Sequence, residues 1–179
     1  MRLFVALPTA PQLRVGLVPV VDDLRERFDG LRWSRPEGWH VTLAFLGEVA
    51  AERVGEVADV LDREVAGVAP FELRSAGAGR FGRGVLWLGV DSDPAGRVTE
   101  LGERVQAGIE TAGLPVERRP VHPHVTLARG GKRRVTDGLV AEVAVAEVAW
   151  SADRIELWSS RLGSGPARYT VEHVAPLPG

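Results

Sequence analysis

Apolar positions recur every second residue in some stretches of the 179-residue chain and every third or fourth in others, so strands and amphipathic helices are interleaved. Arg2 to Leu7 reads as a first strand. Thr9 followed by Gln12 has the spacing of a capping box, with Pro11 tolerated in the first turn of a helix over Ala10 to Phe28. Gly16 and Pro19 inside it predict a late start or a kink near Pro19, and Gly30 is its expected stop. After a linker, Ser34 to Gly38, comes a strand from His40 to Leu46, closed by Gly47. A helix over Ala50 to Ala66 carries Val54, Val57, Leu61 and Val65 on one face and ends at Gly67.

Phe71 to Ala76 is the next expected strand, and Gly77 to Gly84 reads as a flexible hairpin connection that carries Arg80 and Arg83, with a substrate-binding loop as its functional alternative. Val85 to Val90 is a strongly apolar strand. Asp93-Pro94 then has the form of a helix N-cap with proline at the first position, ahead of the stripe Val98, Leu101, Val105 and Ile109, with Gly113 as terminator. Pro115, Pro120 and Pro123 precede a strand that opens at His124 and leads into Gly130-Gly131-Lys132-Arg133-Arg134. That charge run reads as a solvated turn, with guidance of a phosphate backbone as its functional alternative. Val143 to Trp150, Ile155 to Arg161 and Arg168 to Val174 alternate as strands do.

One tetrapeptide occurs twice: His40-Val41-Thr42-Leu43 returns as His124-Val125-Thr126-Leu127. Nearly the same spacing separates the strand from Leu3 and the strand from Val85, and again the helix from Ala10 and the helix from Pro94. Such agreement predicts a duplicated strand-helix-strand unit within one two-lobed domain spanning residues 1–179. The expected fold is α+β: two lobes of largely antiparallel sheet lining a central cleft, with helices on the outer faces.

Composition narrows the chemistry. The 45% hydrophobic and 26% charged content is that of an ordinary globular protein, and the formal net charge of -2 excludes nucleic-acid binding by a bulk positive field while leaving room for a local basic cleft. Zero cysteines exclude disulfides, thiolate metal sites and cysteine nucleophiles. The apolar start, Leu3 to Leu7, is too short for a signal-peptide core, and no segment approaches the roughly 20 apolar residues of a membrane span. A cytoplasmic monomer without membrane contact is expected.

In a strand, alternate side chains share a face, so His40 and Thr42 point one way and Val41 and Leu43 the other, as do their counterparts in the second copy. Two opposed histidines suit a displacement in which one nitrogen takes a proton from the attacking group and the other gives one to the leaving group, as in-line attack at phosphorus requires. The threonine hydroxyls can donate to non-bridging phosphate oxygens. Arg129 is a candidate third donor, on condition that the strand ends, twists or bulges after Leu127, because strict alternation points it away from His124. A metal site built from His122, His124 and His40 is the rival, disfavoured because no acidic residue has the spacing of a familiar ligand set. His122 alone suits support of the loop before the strand.

The paired motifs, with Leu43-Ala44-Phe45-Leu46-Gly47-Glu48 after the first and His122-Pro123-His124-Val125-Thr126-Leu127-Ala128-Arg129 around the second, resemble the two-histidine phosphoesterase superfamily. Within it the chain is most similar to the RNA 2′,3′-cyclic phosphodiesterases, also called 2′-5′ RNA ligases. Arg2 to Leu7, Val85 to Gly89 and Arg168-Tyr169-Thr170 extend the likeness to nearly the whole chain. The resemblance implies a bilobal fold, no metal or cofactor, and conversion of a 2′,3′-cyclic phosphate on RNA, an oligonucleotide or a small cyclic nucleotide to a 2′-phosphomonoester. It implies His40 as proton donor, His124 as proton acceptor, and Thr42, Thr126 and Arg129 as phosphate-binding residues. Phe45 has two readings, a wall for a nucleobase or a core residue on the face opposite His40, and alternation favours the core. Ligation as the main role, or a binding module for RNA ends without catalysis, are the alternatives.

Overall fold

The computed structural model describes residues 1–161 and 167–179. In chain order the elements are β1 (Arg2–Pro8), α1 (Pro11–Arg27), β2 (Arg32–Trp33), β3 (His40–Glu48), α2 (Val54–Val65), β4 (Phe71–Phe81), β5 (Val85–Asp93), α3 (Arg97–Thr111), β6 (His124–Arg129), α4 (Asp137–Ala141), β7 (Ala149–Ala152), β8 (Arg154–Arg161) and β9 (Arg168–Pro176). The strands form one curled antiparallel sheet in the order β7-β4-β5-β6-β3-β1-β8-β9, with β2 beside β6. The two His strands are therefore central neighbours, and the strands that open the two repeats, β1 and β5, flank them on either side.

Helix burial follows the apolar periodicity. Leu13, Leu17, Val21 and Leu24 of α1, Val57, Leu61 and Val65 of α2, and Val98, Leu101, Val105 and Ile109 of α3 join one core with Val41, Leu43, Val125 and Leu127. Full burial of a side chain of this size is worth about 1.5–3 kcal/mol, so these stripes fix the helices to the sheet face away from the histidines. The helix α1 continues through Pro19 because that residue is exposed. The carbonyl its missing N–H leaves free belongs to Val15, which is 78% exposed and open to water.

Several local expectations are corrected. Thr9 does not cap α1: the N-cap is Ala10, and the Thr9 hydroxyl instead donates to the Trp39 carbonyl, 3.1 Å away and buried, bracing the turn before His40. Asp93 and Pro94 do not open α3. Its N-cap is Gly96 at φ 85°, and the Ser92 hydroxyl accepts the Arg97 amide at 3.1 Å. The Gly-Arg stretch is strand rather than loop as far as Phe81, where Gly79 lies under the ring of Trp87; only Gly82 to Gly84 turn. Of Val143 to Trp150 only the last two residues enter β7, and the short helix α4 and the two-residue β2 carried too little periodicity to be seen.

Candidate functional site

The two halves of the sheet meet at one register pair, Val41 opposite Val125. Continuing that antiparallel register sets His40 level with Thr126 and His124 level with Thr42, so the two motifs interlock as a square of two imidazoles and two hydroxyls on one face. All four side chains are half-buried.

Both strands then break alternation at the same place. Against β1, Val5 pairs with Ala44 and Ala6 with Thr42, leaving Leu43 as an extra residue; against β5, Leu86 pairs with Ala128 and Trp87 with Thr126, leaving Leu127 extra. Each bulge buries two successive residues, Leu43 with Ala44 and Leu127 with Ala128, and flips the phase of the next positions along the strand. The carbonyls freed from the ladders find other donors. Gln106 of α3, only 2% exposed, donates its side-chain amide to Leu43 at 2.9 Å, and the Ser34 backbone amide donates to Leu127 at 2.8 Å.

Phe45 and Arg129 consequently lie on the groove face. For Arg129 this is the bulge that its candidate role required, and its charge acts on both histidines. For Phe45 it overturns the expectation of a core residue: the ring is half-exposed and joins Phe4, Ala6 and Trp158 in a small apolar cluster separate from the main core.

The imidazoles are held by one device used twice. Nδ1 of His40 lies 2.6 Å from the Gly38 carbonyl, and Nδ1 of His124 lies 2.5 Å from the His122 carbonyl. A carbonyl only accepts, so each Nδ1 carries the proton and each Nε2 is left to the groove. Aromatic rings enclose both. Phe4, Trp158 and Tyr169 have centroids 4.8, 5.2 and 5.6 Å from that of His40. Phe81, His122 and Trp87 stand 4.9, 5.9 and 6.2 Å from His124.

This enclosure favours the neutral form of both rings. Burial pushes His40 down to about 4, helped by the charges of His124 and Arg129 and opposed by the Gly38 hydrogen bond. His124 is also lowered, by burial first and then by His122, Arg129 and Arg119, against the bond to the His122 carbonyl. Among the described residues no three His, Asp or Glu side chains are grouped to hold a metal ion. His122 supplies the backbone carbonyl for His124, and its ring packs 5.0 Å from both Phe81 and Trp87.

Several lining residues escaped sequence reasoning. Trp158 is fixed by its indole N–H, which donates to buried Glu156 at 2.8 Å, and Arg154 holds the other oxygen of that carboxylate at 2.8 Å. The signal was present, a lone acid in the apolar run of β8. Trp87 lies across Gly79, where an added Cβ would stand 2.2 Å from its ring, and Tyr169 lies across Gly38, where a Cβ would stand 2.8 Å away. Arg119 stacks over Phe45 at 4.3 Å, and its backbone amide donates to the same Gln106 that serves the β3 bulge. Nothing in the spacing of Arg119 announces that role, because a nonlocal turn brings it in.

Comparison with known proteins places the chain in a family. Residues 11–164 match the model of the 2′-5′ RNA ligase superfamily. The RNA 2′,3′-cyclic phosphodiesterase of Thermotoga maritima is 30% identical over 186 residues, covering 100% of this chain and 97% of its own. That of Escherichia coli is 33% identical over 135 residues, covering 73% and 71%. The chain spans 55% of the length of a further relative of the same name from Geobacillus stearothermophilus. Among solved structures, the protein TT0787 of Thermus thermophilus superposes with a TM-score of 0.80 at 28% identity, covering 100% of this chain and 99% of its own. Escherichia coli LigT complexed with 3′-AMP gives 0.78 at 25% identity, covering 99% and 98%. With the repeated motif, the opposed imidazoles and these matches together, the chain belongs to the 2′-5′ RNA ligase superfamily and is an enzyme of its RNA 2′,3′-cyclic phosphodiesterase family.

Proposed function

We propose that the chain hydrolyses the 2′,3′-cyclic phosphate at the end of an RNA to a 2′-phosphomonoester by acid-base catalysis between His40 and His124. The observation that carries this reading is the paired locking of Nδ1 on a backbone carbonyl two residues upstream, which leaves two Nε2 atoms free on one groove. Neutral His124 Nε2 takes a proton from water as the water oxygen bonds to phosphorus. The bond from phosphorus to the 3′ oxygen breaks, and protonated His40 Nε2 gives that oxygen its proton. The Thr42 and Thr126 hydroxyls and the Arg129 guanidinium donate to the non-bridging oxygens as charge builds on them. Phe45 and Arg119 form a flat wall suited to a nucleobase. No step calls on a metal or cofactor. The chain acts as a monomer in the cytoplasm, a placement supported by its lack of cysteine and of any described helix long and apolar enough to cross a membrane.

The tighter aromatic enclosure of His40 supports a second reading with the roles exchanged. His40 is the more strongly neutralised ring in the free site, which suits a base, and an anionic substrate must raise its proton affinity before it serves as the acid. Phosphorus NMR of the product from 2′,3′-cyclic AMP is expected to give a 2′-phosphate; a 3′-phosphate reverses the orientation of the bound substrate, and no turnover overturns both readings. The roles are separated by a substrate whose leaving oxygen needs no proton, which should restore turnover to the variant that lacks the acid, His40→Ala in the first reading and His124→Ala in the second.

A further inference from the structure

Where β6 ends, three segments are tied together by backbone hydrogen bonds. Gly130 donates to Gly84 at 2.7 Å, Val135 to Arg83 at 3.0 Å, and Arg133 to Gly30 at 3.1 Å. The Arg32 guanidinium adds a bond to the Gly130 carbonyl at 3.1 Å, and Arg32 is itself the register partner of Arg129. The result is a platform, continuous with Arg129, that carries Arg32, Arg83, Lys132, Arg133 and Arg134, all exposed. Among the described residues none of these six cations forms an ion pair. The carboxylates nearby do not neutralise them. Asp137 is taken by Arg80 at 2.6 Å and Glu142 by Arg27 at 2.6 Å, which leaves Asp29 as the acid of the adjoining turn.

In a chain whose net charge is -2, six cations without an ion pair on one connected surface make a local positive field that attracts anions. The platform is built largely from turns and lies beyond the histidines along β6. It offers several separated charges in place of one pocket, which matches a chain of phosphates and not a single phosphate. The corresponding end of β3 carries Glu48 as the repeat counterpart of Lys132, and there the N-terminal amine, 3.4 Å away, faces the acid.

We infer that this platform is the track for the phosphodiester backbone of a single-stranded RNA whose cyclic end lies between the histidines, and that it makes the enzyme prefer polynucleotides to mononucleotides. This rests on the cyclic phosphodiesterase reading above. The contacts are to phosphates, so they add affinity without base preference.

The test compares the wild-type protein with a triple variant, Arg83→Ala, Lys132→Ala and Arg134→Ala, which leaves Arg129 and the structural bond of Arg32 intact. Turnover is measured on 2′,3′-cyclic AMP and on a decaribonucleotide with a 2′,3′-cyclic phosphate end. Binding of a fluorescein-labelled decaribonucleotide ending in a 2′-phosphate is followed by anisotropy across a salt series. The expected result is a rise of about tenfold or more in KM and Kd for the decamers, with cyclic AMP turnover within about twofold. The slope of log affinity against log salt should be shallower by about 2, at roughly 0.7 per phosphate contact on a single strand. Unchanged decamer binding overturns the track, as does an equal loss on both substrates. If the wild type turns over neither substrate, the catalytic reading fails while the anisotropy arm still decides the track.

Discussion

The ends of the two central strands begin alike and finish differently. From His40 and from His124 the chain lays down the same imidazole, hydroxyl and bulge, and in both the residue after the bulge returns to the groove. In the first half that residue is Phe45, capped by Arg119; in the second it is Arg129, leading to a run of exposed cations. The enclosures differ too, since three aromatic rings surround His40 while His124 shares its box with another histidine. The repeated motif thus supplies two imidazoles in equivalent settings. The difference at the sixth position of each motif gives the groove an apolar wall at Phe45 and a basic one at Arg129, and under the proposed function a nucleobase would meet the first and a phosphate the second.

The strongest way to break this comparison is to remove the equivalent parts. His40→Ala and His124→Ala should each lower kcat on a cyclic-phosphate substrate by at least roughly a hundredfold, with little change in melting temperature. The double variant should be less impaired than the product of the single losses, because both groups act in one step. A variant that keeps wild-type turnover would show that its half does not take part in the chemistry.

Acid unfolding sharpens the difference between the enclosures. His40 in the folded chain refuses a proton until pH falls to about 4, whereas the unfolded chain takes one up near 6.5. The stability its neutral form provides is therefore fully present above pH 6.5 and is lost as pH falls towards 4, by up to roughly 3 kcal/mol. Urea unfolding at a series of pH values should give a shallower acid slope for His40→Gln than for wild type. Identical slopes would mean the aromatic box does not exclude charge.

At the sixth position, Arg129→Ala should reduce kcat/KM on 2′,3′-cyclic AMP by about tenfold to a hundredfold, within reach of the loss of one oxyanion donor. Lys132→Ala should leave the same substrate nearly unchanged, because a charge farther out is screened by salt. Equal small effects would place Arg129 in a structural role. The smallest effect belongs to chelation: if two imidazoles suffice, exhaustive treatment with EDTA should leave turnover within error. Loss of activity restored by zinc or manganese would replace the two-histidine scheme.

Much of this was legible from the chain alone. The histidines and threonines were visible because a strand's period of two forces residues two apart onto one face, and the helix stripes because burial selects a period near 3.6. Arg129 was legible only as a condition, since alternation excluded it unless a bulge intervened. Phe45 was misplaced for the same reason, as the bulge lies in backbone pairing that β1 and Gln106 impose from elsewhere. The stretch around Gly79 read as loop because propensity carries no record of the Trp87 ring that needs its missing side chain.

The twin bulges also constrain how this sequence can change. Along β3 and β6 the pattern of tolerance to polar substitution should follow alternation as far as Leu43 and Leu127, then show two adjacent intolerant sites before alternation resumes out of step. A single deletion at either bulge would restore regular pleating and at the same stroke rotate Phe45 or Arg129 into the hydrophobic interior. A change of length in either strand should therefore cost more than an apolar replacement at the buried pair, because it displaces every groove-facing side chain that follows.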